Sequence, residues 1–114
     1  MSRRRIAAAF AAAAIVPVFF LSDCALAQDV GAGRKKAVAC QSCHGIDGIA
    51  KLPDAPNLAA QPAAYLEREL RAYRSGARRN EVMSIAAKSL SDGDIQDLAA
   101  YYAAIQIEVR TLPP

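Results

Sequence analysis

The sequence predicts an all-α domain, and three observations support this fold class. Apolar residues recur at helical spacing in the central and C-terminal stretches, and residues that start or end helices punctuate those stretches. No stretch alternates apolar and polar residues as a half-buried strand would. With 114 residues and no internal repeat, the chain has room for one small domain. We expect three main helices joined by loops.

The N-terminal segment has the pattern of an export signal. Three arginines follow Ser2, an apolar run extends from residue 6 to 21, and Ala25-Leu26-Ala27 is a small-x-small cleavage pattern. We predict a signal peptide over residues 1–27, cleaved after about Ala27, and a periplasmic domain over residues 28–114. An uncleaved anchor is the main alternative, but the apolar run is short for a bilayer span of about 20 residues.

Two other versions of export remain open. The arginines resemble a twin-arginine motif, although general secretion is the preferred route. Residues 21–24 resemble a lipoprotein box, which would make Cys24 a lipidated N-terminus. Asp23 is a poor fit to the small residue expected before that cysteine, so lipidation is the minor alternative.

Removal of the signal changes which residues can carry function. It takes away three of the 14 Lys and Arg and one of the 11 Asp and Glu, so the net charge falls from +3 to about +1. A nucleic-acid binder needs a concentrated basic surface, so we expect no nucleic-acid partner. Of the three Cys, two Met and one His, the domain keeps only Cys40, Cys43, Met83 and His44.

The helices are predicted in order from local signals. The first runs from Val30 to about Cys43, in a stretch of helix-forming residues. Residues 44–61 are rich in Gly and Pro and predict a loop. Pro62 starts the second helix in its first turn, and Gly76 ends it. The apolar positions of this helix share one face: Ala63, Leu66, Leu70 and Tyr73.

The last helix follows a capping signal. Ser91 with Asp94 three residues later resembles a capping box, with Asp in place of the usual Glu. An apolar stripe at helical spacing follows: Ile95, Leu98, Ala99, Tyr102 and Ile105.

The strongest functional motif is Cys40-Gln41-Ser42-Cys43-His44, the C-x-x-C-H sequence for covalent haem attachment. Two thiols at this spacing can form thioethers to two vinyl groups on one porphyrin edge, and the histidine on the same turn can ligate the iron. A structural zinc site needs four Cys or His ligands, more than this domain contains. A thioredoxin-like redox motif would sit among strands, which are not predicted. A Cys40–Cys43 disulfide is the third alternative.

Together these segments resemble a class I c-type cytochrome of the small bacterial periplasmic monohaem branch that is related to the dihaem cytochromes. The resemblance covers nearly the whole mature chain. It depends on five segments: residues 39–45 around the C-x-x-C-H motif, Pro56–Gln61, Tyr65–Tyr73, Gly76–Met83 and Leu90–Tyr102. It implies a cytochrome c fold, with three main helices wrapped around one covalently attached haem c.

The resemblance also implies a role for each site residue. Cys40 and Cys43 would hold the haem, with His44 as the proximal iron ligand and Met83 as the distal one. The carbonyl of Pro56 would accept the Nδ1–H of His44 and fix the ring. A lone Met is more often a core filler than a ligand, so filler is the alternative for Met83.

Two further positions follow from the resemblance. Gly33 would lie where the first and last helices cross, facing Tyr101 or Tyr102. The family usually has glycine at the position of Ala60.

A thin helical core implies that haem supplies much of the apolar volume. We expect these residues to line it: Val38, Leu58, Leu66, Leu70, Tyr73, Ile85, Leu98 and Tyr102.

The predicted function is single-electron transfer between redox partner proteins, without enzymatic activity, because His/Met ligation leaves the iron no open position. The donor and acceptor could include a periplasmic dehydrogenase or a terminal oxidase. A fixed cytochrome subunit of a dehydrogenase complex and a ligand-binding haem protein are the alternatives. The arginines at positions 68, 71, 74 and 78 could steer an acidic partner, but a solvated face, partly balanced by Glu67 and Glu69, is the preferred interpretation. An apolar rim of Ile46, Ile49 and Leu52 would surround the haem edge.

Overall fold

The computed structural model describes residues 28–114, and the predicted signal segment lies outside the described residues. Residues 28–114 contain no strand, as predicted. Their five helices are α1 (Val30–Ala37), α2 (Gln41–His44), α3 (Ala63–Ser75), α4 (Glu81–Ala86) and α5 (Asp92–Ala104). The predicted main helices correspond to α1, α3 and α5. Within this part of the chain, no helix is both long and apolar enough to cross a membrane.

The first predicted helix is divided in two. Asp29 caps α1 by accepting hydrogen bonds from the N–H groups of residues 31 and 32. The helix ends at Ala37, where the N–H of Ala39 donates to Lys36 O at 3.1 Å and that of Cys40 to Ala37 O at 2.9 Å. These tighter i to i+3 bonds turn the chain before α2 begins. The prediction of one helix to Cys43 is therefore wrong, and no Gly or Pro marks the break.

The second helix agrees with its predicted limits to within one residue. Pro62 is the N-cap, with ψ of 132°, so α3 begins at Ala63 and not at the proline. Gly76 ends the helix in the left-handed conformation, with φ of 83°, which glycine adopts without strain. The stop signal is confirmed.

A short helix that was not predicted follows. Asn80 caps α4, and its side-chain oxygen accepts hydrogen bonds from the N–H groups of Val82 and Met83 at 3.0 and 2.9 Å. Glu81 lies in the first turn, where the positive end of the helix dipole stabilises its carboxylate. The Asn-Glu pair was the available signal for this start.

The capping box at the start of α5 is confirmed. The N–H of Asp94 donates to Ser91 Oγ at 3.1 Å, and the N–H of Ser91 donates to Asp94 Oδ2 at 2.9 Å. The helix ends at Ala104, so Ile105 is an extended C-cap residue and not the last member of the helical stripe.

The core forms where α1 and α3 pack against α5. Its buried residues are Ala37, Leu66, Leu98, Ala99 and Tyr102. The predicted close crossing is present at Gly33, where an added Cβ would overlap the Asp97 carbonyl and lie 2.7 Å from Cβ of Tyr101. Lys36 ties the same two helices together through ion pairs to Asp94 at 3.1 Å and Asp97 at 2.6 Å.

The Asp94 carboxylate should make folding sensitive to acid. Hydrogen bonds from the Ser91 hydroxyl and N–H, and then from Lys36, lower the pKa of Asp94 from 3.8 to about 2. A lowered folded-state pKa contributes stability that is present above about pH 4 and lost as the pH falls towards 2. We expect Asp94→Asn to flatten the fall in unfolding free energy over that range, measured by urea denaturation at a series of pH values.

Asp54→Asn is the matched control, because Asp54 is exposed and makes no side-chain hydrogen bond or ion pair within residues 28–114. It should leave the acid dependence of the parent protein unchanged. Equal pH profiles for the Asp94→Asn and Asp54→Asn variants would contradict the role given to the capping box.

Candidate functional site

The C-x-x-C-H residues are brought together by a single helical turn. Cys40 is the N-cap of α2, and its carbonyl accepts the N–H groups of Cys43 at 3.3 Å and His44 at 3.0 Å. Both cysteines are half-buried and free. Burial is the main cause that raises the pKa of the Cys40 thiol, so this sulfur is protonated at neutral pH. The turn therefore presents two thiols beside one imidazole.

His44 is buried and held in one orientation. Its side chain is only 7% exposed, and its Nδ1 lies 2.9 Å from the Pro56 carbonyl oxygen. A carbonyl oxygen only accepts, so Nδ1 carries the proton and Nε2 carries the free lone pair. Within residues 28–114, no hydrogen bond reaches Nε2, and no fully enclosed side-chain N or O lacks a partner. Nε2 is therefore not fully enclosed by the described residues.

The loop after α2 places Pro56 over the histidine. The carbonyl of Gly48 accepts the N–H groups of Leu58 at 2.8 Å and Ala59 at 3.0 Å. Across the same loop, the N–H of Ala50 donates to Asn57 Oδ1 at 2.7 Å. These bonds close residues 48–59 into a compact loop, which fixes the position of the Pro56 carbonyl beside His44.

Two tyrosine hydroxyls brace this region from α5. Tyr101 Oη donates to the carbonyl of Ile46 at 2.6 Å, and Tyr102 Oη donates to that of Gly45 at 3.3 Å. The carbonyl of Tyr102 also accepts the N–H of Ala60 at 3.0 Å. Ala60 has φ of 60°, a conformation in which a Cβ costs about 1 kcal/mol. Helical periodicity does not predict this bracing, because it indicates which residues are buried and not where their hydroxyls point.

Met83 lies on a different element from the other candidate residues. It is half-buried on α4, which packs against α3. Its neighbours Val82 and Ile85 are 64% and 78% exposed, which is high for apolar side chains in a small domain. Of the residues expected to line haem, Leu66, Leu98 and Tyr102 are buried, whereas Val38 and Ile85 lie at the surface.

The residues present fit a covalent haem. Two thiols share one turn, the adjacent imidazole has its Nδ1 engaged and its Nε2 free, and apolar side chains are exposed around them. A ligating histidine commonly has its second ring nitrogen held by a carbonyl or carboxylate in this way. When bound, haem supplies an iron that gains or loses one electron.

Comparison with known proteins identifies the family. The family described as Cytochrome c matches residues 30–105. Cytochrome c-554(548) of Halomonas halodenitrificans is 46% identical over 81 residues, which cover 68% of this chain and 98% of that protein. The thiosulfate dehydrogenase electron acceptor of Thiomonas intermedia is 39% identical over 84 residues, which cover 72% of this chain and 38% of that protein.

Solved structures show the same similarity. The crystal structure of reduced cytochrome c4 from Pseudomonas stutzeri superposes with a TM-score of 0.65 at 34% identity, covering 70% of this chain and 47% of that one. The chain therefore spans almost the whole of one relative but less than half the length of the other two.

Proposed function

This chain belongs to the cytochrome c family of haem-bearing electron-transfer proteins, and on that premise we propose that residues 28–114 carry one haem c and pass single electrons between periplasmic redox proteins. One observation supports this most directly. The buried His44 has Nδ1 held by Pro56 and Nε2 free, on the same turn as two free thiols. That set can both attach haem and ligate its iron.

In this proposal, Cys40 and Cys43 form the two thioethers. Each S–H adds across one vinyl group, so that sulfur bonds to one carbon and the hydrogen goes to the other. His44 Nε2 is the proximal ligand. Pro56 holds the Nδ1 proton, which fixes the tautomer and raises the basicity of Nε2. The bracing by Tyr101 and Tyr102 keeps the turn in place while the charge on the iron changes.

Met83 is the proposed distal ligand. It is the sole methionine in residues 28–114, and the Asn80 cap fixes the first turn of the helix that carries it. A thioether favours ferrous iron and therefore raises the reduction potential.

The proposed location of the mature protein is the periplasm. Residues 1–27 have the charge and hydropathy pattern of a signal peptide, with cleavage after about Ala27. The bacterial cytochromes that the chain resembles are consistent with the periplasm as its compartment.

The visible spectrum of the purified protein tests the proposal. We expect haem that stays with the chain through acid–acetone extraction, a low-spin reduced spectrum and the weak ferric band of sulfur ligation. Haem lost on extraction would contradict attachment through the cysteines. Covalent haem that is high-spin, or that binds carbon monoxide readily, would remove Met83 from the iron and favour a ligand-binding haem protein.

A second candidate is the role of electron acceptor to a particular dehydrogenase. The similarity to an electron acceptor of thiosulfate dehydrogenase supports it. Purified thiosulfate dehydrogenase and thiosulfate, added to the oxidised protein, should then produce the reduced spectrum within seconds. Ascorbate is the control that shows the haem to be reducible. Reduction by ascorbate but not by the dehydrogenase would leave the general carrier function and exclude this partner.

A further inference from the structure

The four arginines considered as a docking face for an acidic partner are engaged within the domain. Arg68 and Arg78 both pair with Glu69, at 3.0 and 2.7 Å. Arg71 pairs with Glu67 at 3.4 Å, and Arg74 pairs with Asp92 at 2.6 Å. Paired charges of opposite sign produce little field at a distance, so this face is poorly suited to attract an acidic protein.

Two cations on α1 have no such partners. Arg34 and Lys35 are adjacent and exposed, and neither makes an ion pair within residues 28–114. They line an open surface groove together with Gly31, Val38 and Ile46, which we call the α1 groove. The groove thus combines two free positive charges with an apolar floor.

The other surface depression next to a free cation differs in charge. It is lined by Arg79 together with Glu81, so a carboxylate offsets the positive charge there. No acidic residue is among those that line the α1 groove in the described part of the chain. The Asp29 carboxylate at the start of α1 accepts the N–H groups of Gly31 and Ala32, at 2.8 and 3.0 Å, so its negative charge faces the positive end of the helix dipole.

The α1 groove also adjoins the proposed haem attachment on both sides. Val38 precedes Cys40 by two residues, and Ile46 follows His44 by two. Val38 is 55% exposed, whereas Ile46 is half-buried and its carbonyl is held by the Tyr101 hydroxyl. A protein bound in the groove would contact residues on either side of the segment that attaches the haem.

We propose that the α1 groove is the docking surface for an acidic redox protein, with Arg34 and Lys35 steering the encounter and Val38 forming the apolar contact. The proposal depends on the proposed function, since an electron must leave or enter through haem at the neighbouring cysteines. Charges at the rim of an interface act mainly on the association rate and on its salt dependence. Brief encounters of this kind need only a small interface.

The test is the rate at which a reduced acidic [2Fe–2S] ferredoxin reduces the oxidised holoprotein, followed by stopped-flow absorbance. One electron passes from the ferredoxin cluster to ferric haem, which becomes ferrous. We compare the double variant Arg34→Gln/Lys35→Gln with Arg110→Glu in the exposed C-terminal tail. Both variants change the net charge by the same amount. Any difference between their reduction rates therefore reflects the position of the charge on the surface.

We expect the double variant to lower the second-order rate constant roughly 5-fold at low ionic strength, and the difference to shrink in high salt. Arg110→Glu should change the rate less than about 2-fold. Hexaammineruthenium(II), a small cationic reductant, should reduce the double variant at least as fast as the parent protein. That result would show that the haem itself is unaltered.

Two results would overturn the proposal in distinguishable ways. Equal loss of rate in the double variant and in Arg110→Glu would mean that net charge, not the α1 groove, governs the encounter, and the proposed function would stand. A purified protein without covalent haem would overturn the proposed function and the docking proposal together.

Discussion

Replacing Gly33 with alanine should destabilise the domain by about 3 kcal/mol or more. The added Cβ would overlap the Asp97 carbonyl and lie 2.7 Å from Cβ of Tyr101. Backbone cannot rotate away as a long side chain can, so α1 and α5 would have to separate. That separation would also strain the hydrogen bond from the Asp29 N–H to Asp97 Oδ1 at 2.9 Å and the ion pairs of Lys36. Urea denaturation followed by far-UV circular dichroism measures the loss.

Gly31→Ala is the matched control in the same helix. A Cβ at Gly31 has Asp29 Oδ1 at 3.2 Å as its nearest neighbour, the end of a side chain that can shift slightly. Alanine is also a better helix former than glycine, by roughly 0.5–1 kcal/mol. We therefore expect a neutral or slightly stabilised variant. Similar losses for Gly33→Ala and Gly31→Ala would mean that the close helix crossing is not what excludes a side chain.

Replacing Met83 with leucine should remove one iron ligand while the haem stays attached through the cysteines. Leucine keeps the volume but has no lone pair, so the proposed distal position would open. We expect loss of the weak ferric sulfur band, a high-spin spectrum, carbon monoxide binding, and a fall in reduction potential on the order of 100 mV or more. Spectra and redox titration measure these changes.

Val82→Leu is the control for the neighbouring position on the same helix. Val82 is exposed, and its side chain is not a ligand type. It should retain the parent spectrum and potential. An unchanged spectrum in the Met83→Leu variant would show that the methionine is a packing residue.

The elements that the sequence predicts well are those with local signals. Gly76 ends α3 because a left-handed residue is needed there, and the Ser91–Asp94 capping box depends only on residues three apart. The break after Ala37 carries no such signal. It is made by two i to i+3 hydrogen bonds that any residue can form, so a helix-forming stretch gave no reason to expect it.

The candidate site also has features that can be predicted from the sequence and features that cannot. The C-x-x-C-H spacing and the placement of Pro56 could be predicted, the first from the motif and the second from the family resemblance. The Tyr101 hydroxyl bond to Ile46 joins residues 55 apart in sequence, and only the packing of α5 determines it. The arginine spacing predicts that several arginines share a helical face, and Glu67 and Glu69 lie beside them in the sequence. The pairing of Arg74 with Asp92 joins residues 18 apart, and only the packing of α3 against α5 determines it.

The crossing of α1 and α5 has a consequence for the order in which the domain matures. It joins the two ends of the domain, so its loop-closure entropy must be overcome before the contacts of α5 contribute. The C-x-x-C-H turn follows α1 directly and lies about 50 residues ahead of α5, so under the proposed export it reaches the periplasm before α5 does. During that interval Tyr101 and Tyr102 are not yet available to cover Gly45 and Ile46. The thiols are therefore most accessible before α5 packs against α1. The packing of α5 would then hold the attached haem in place.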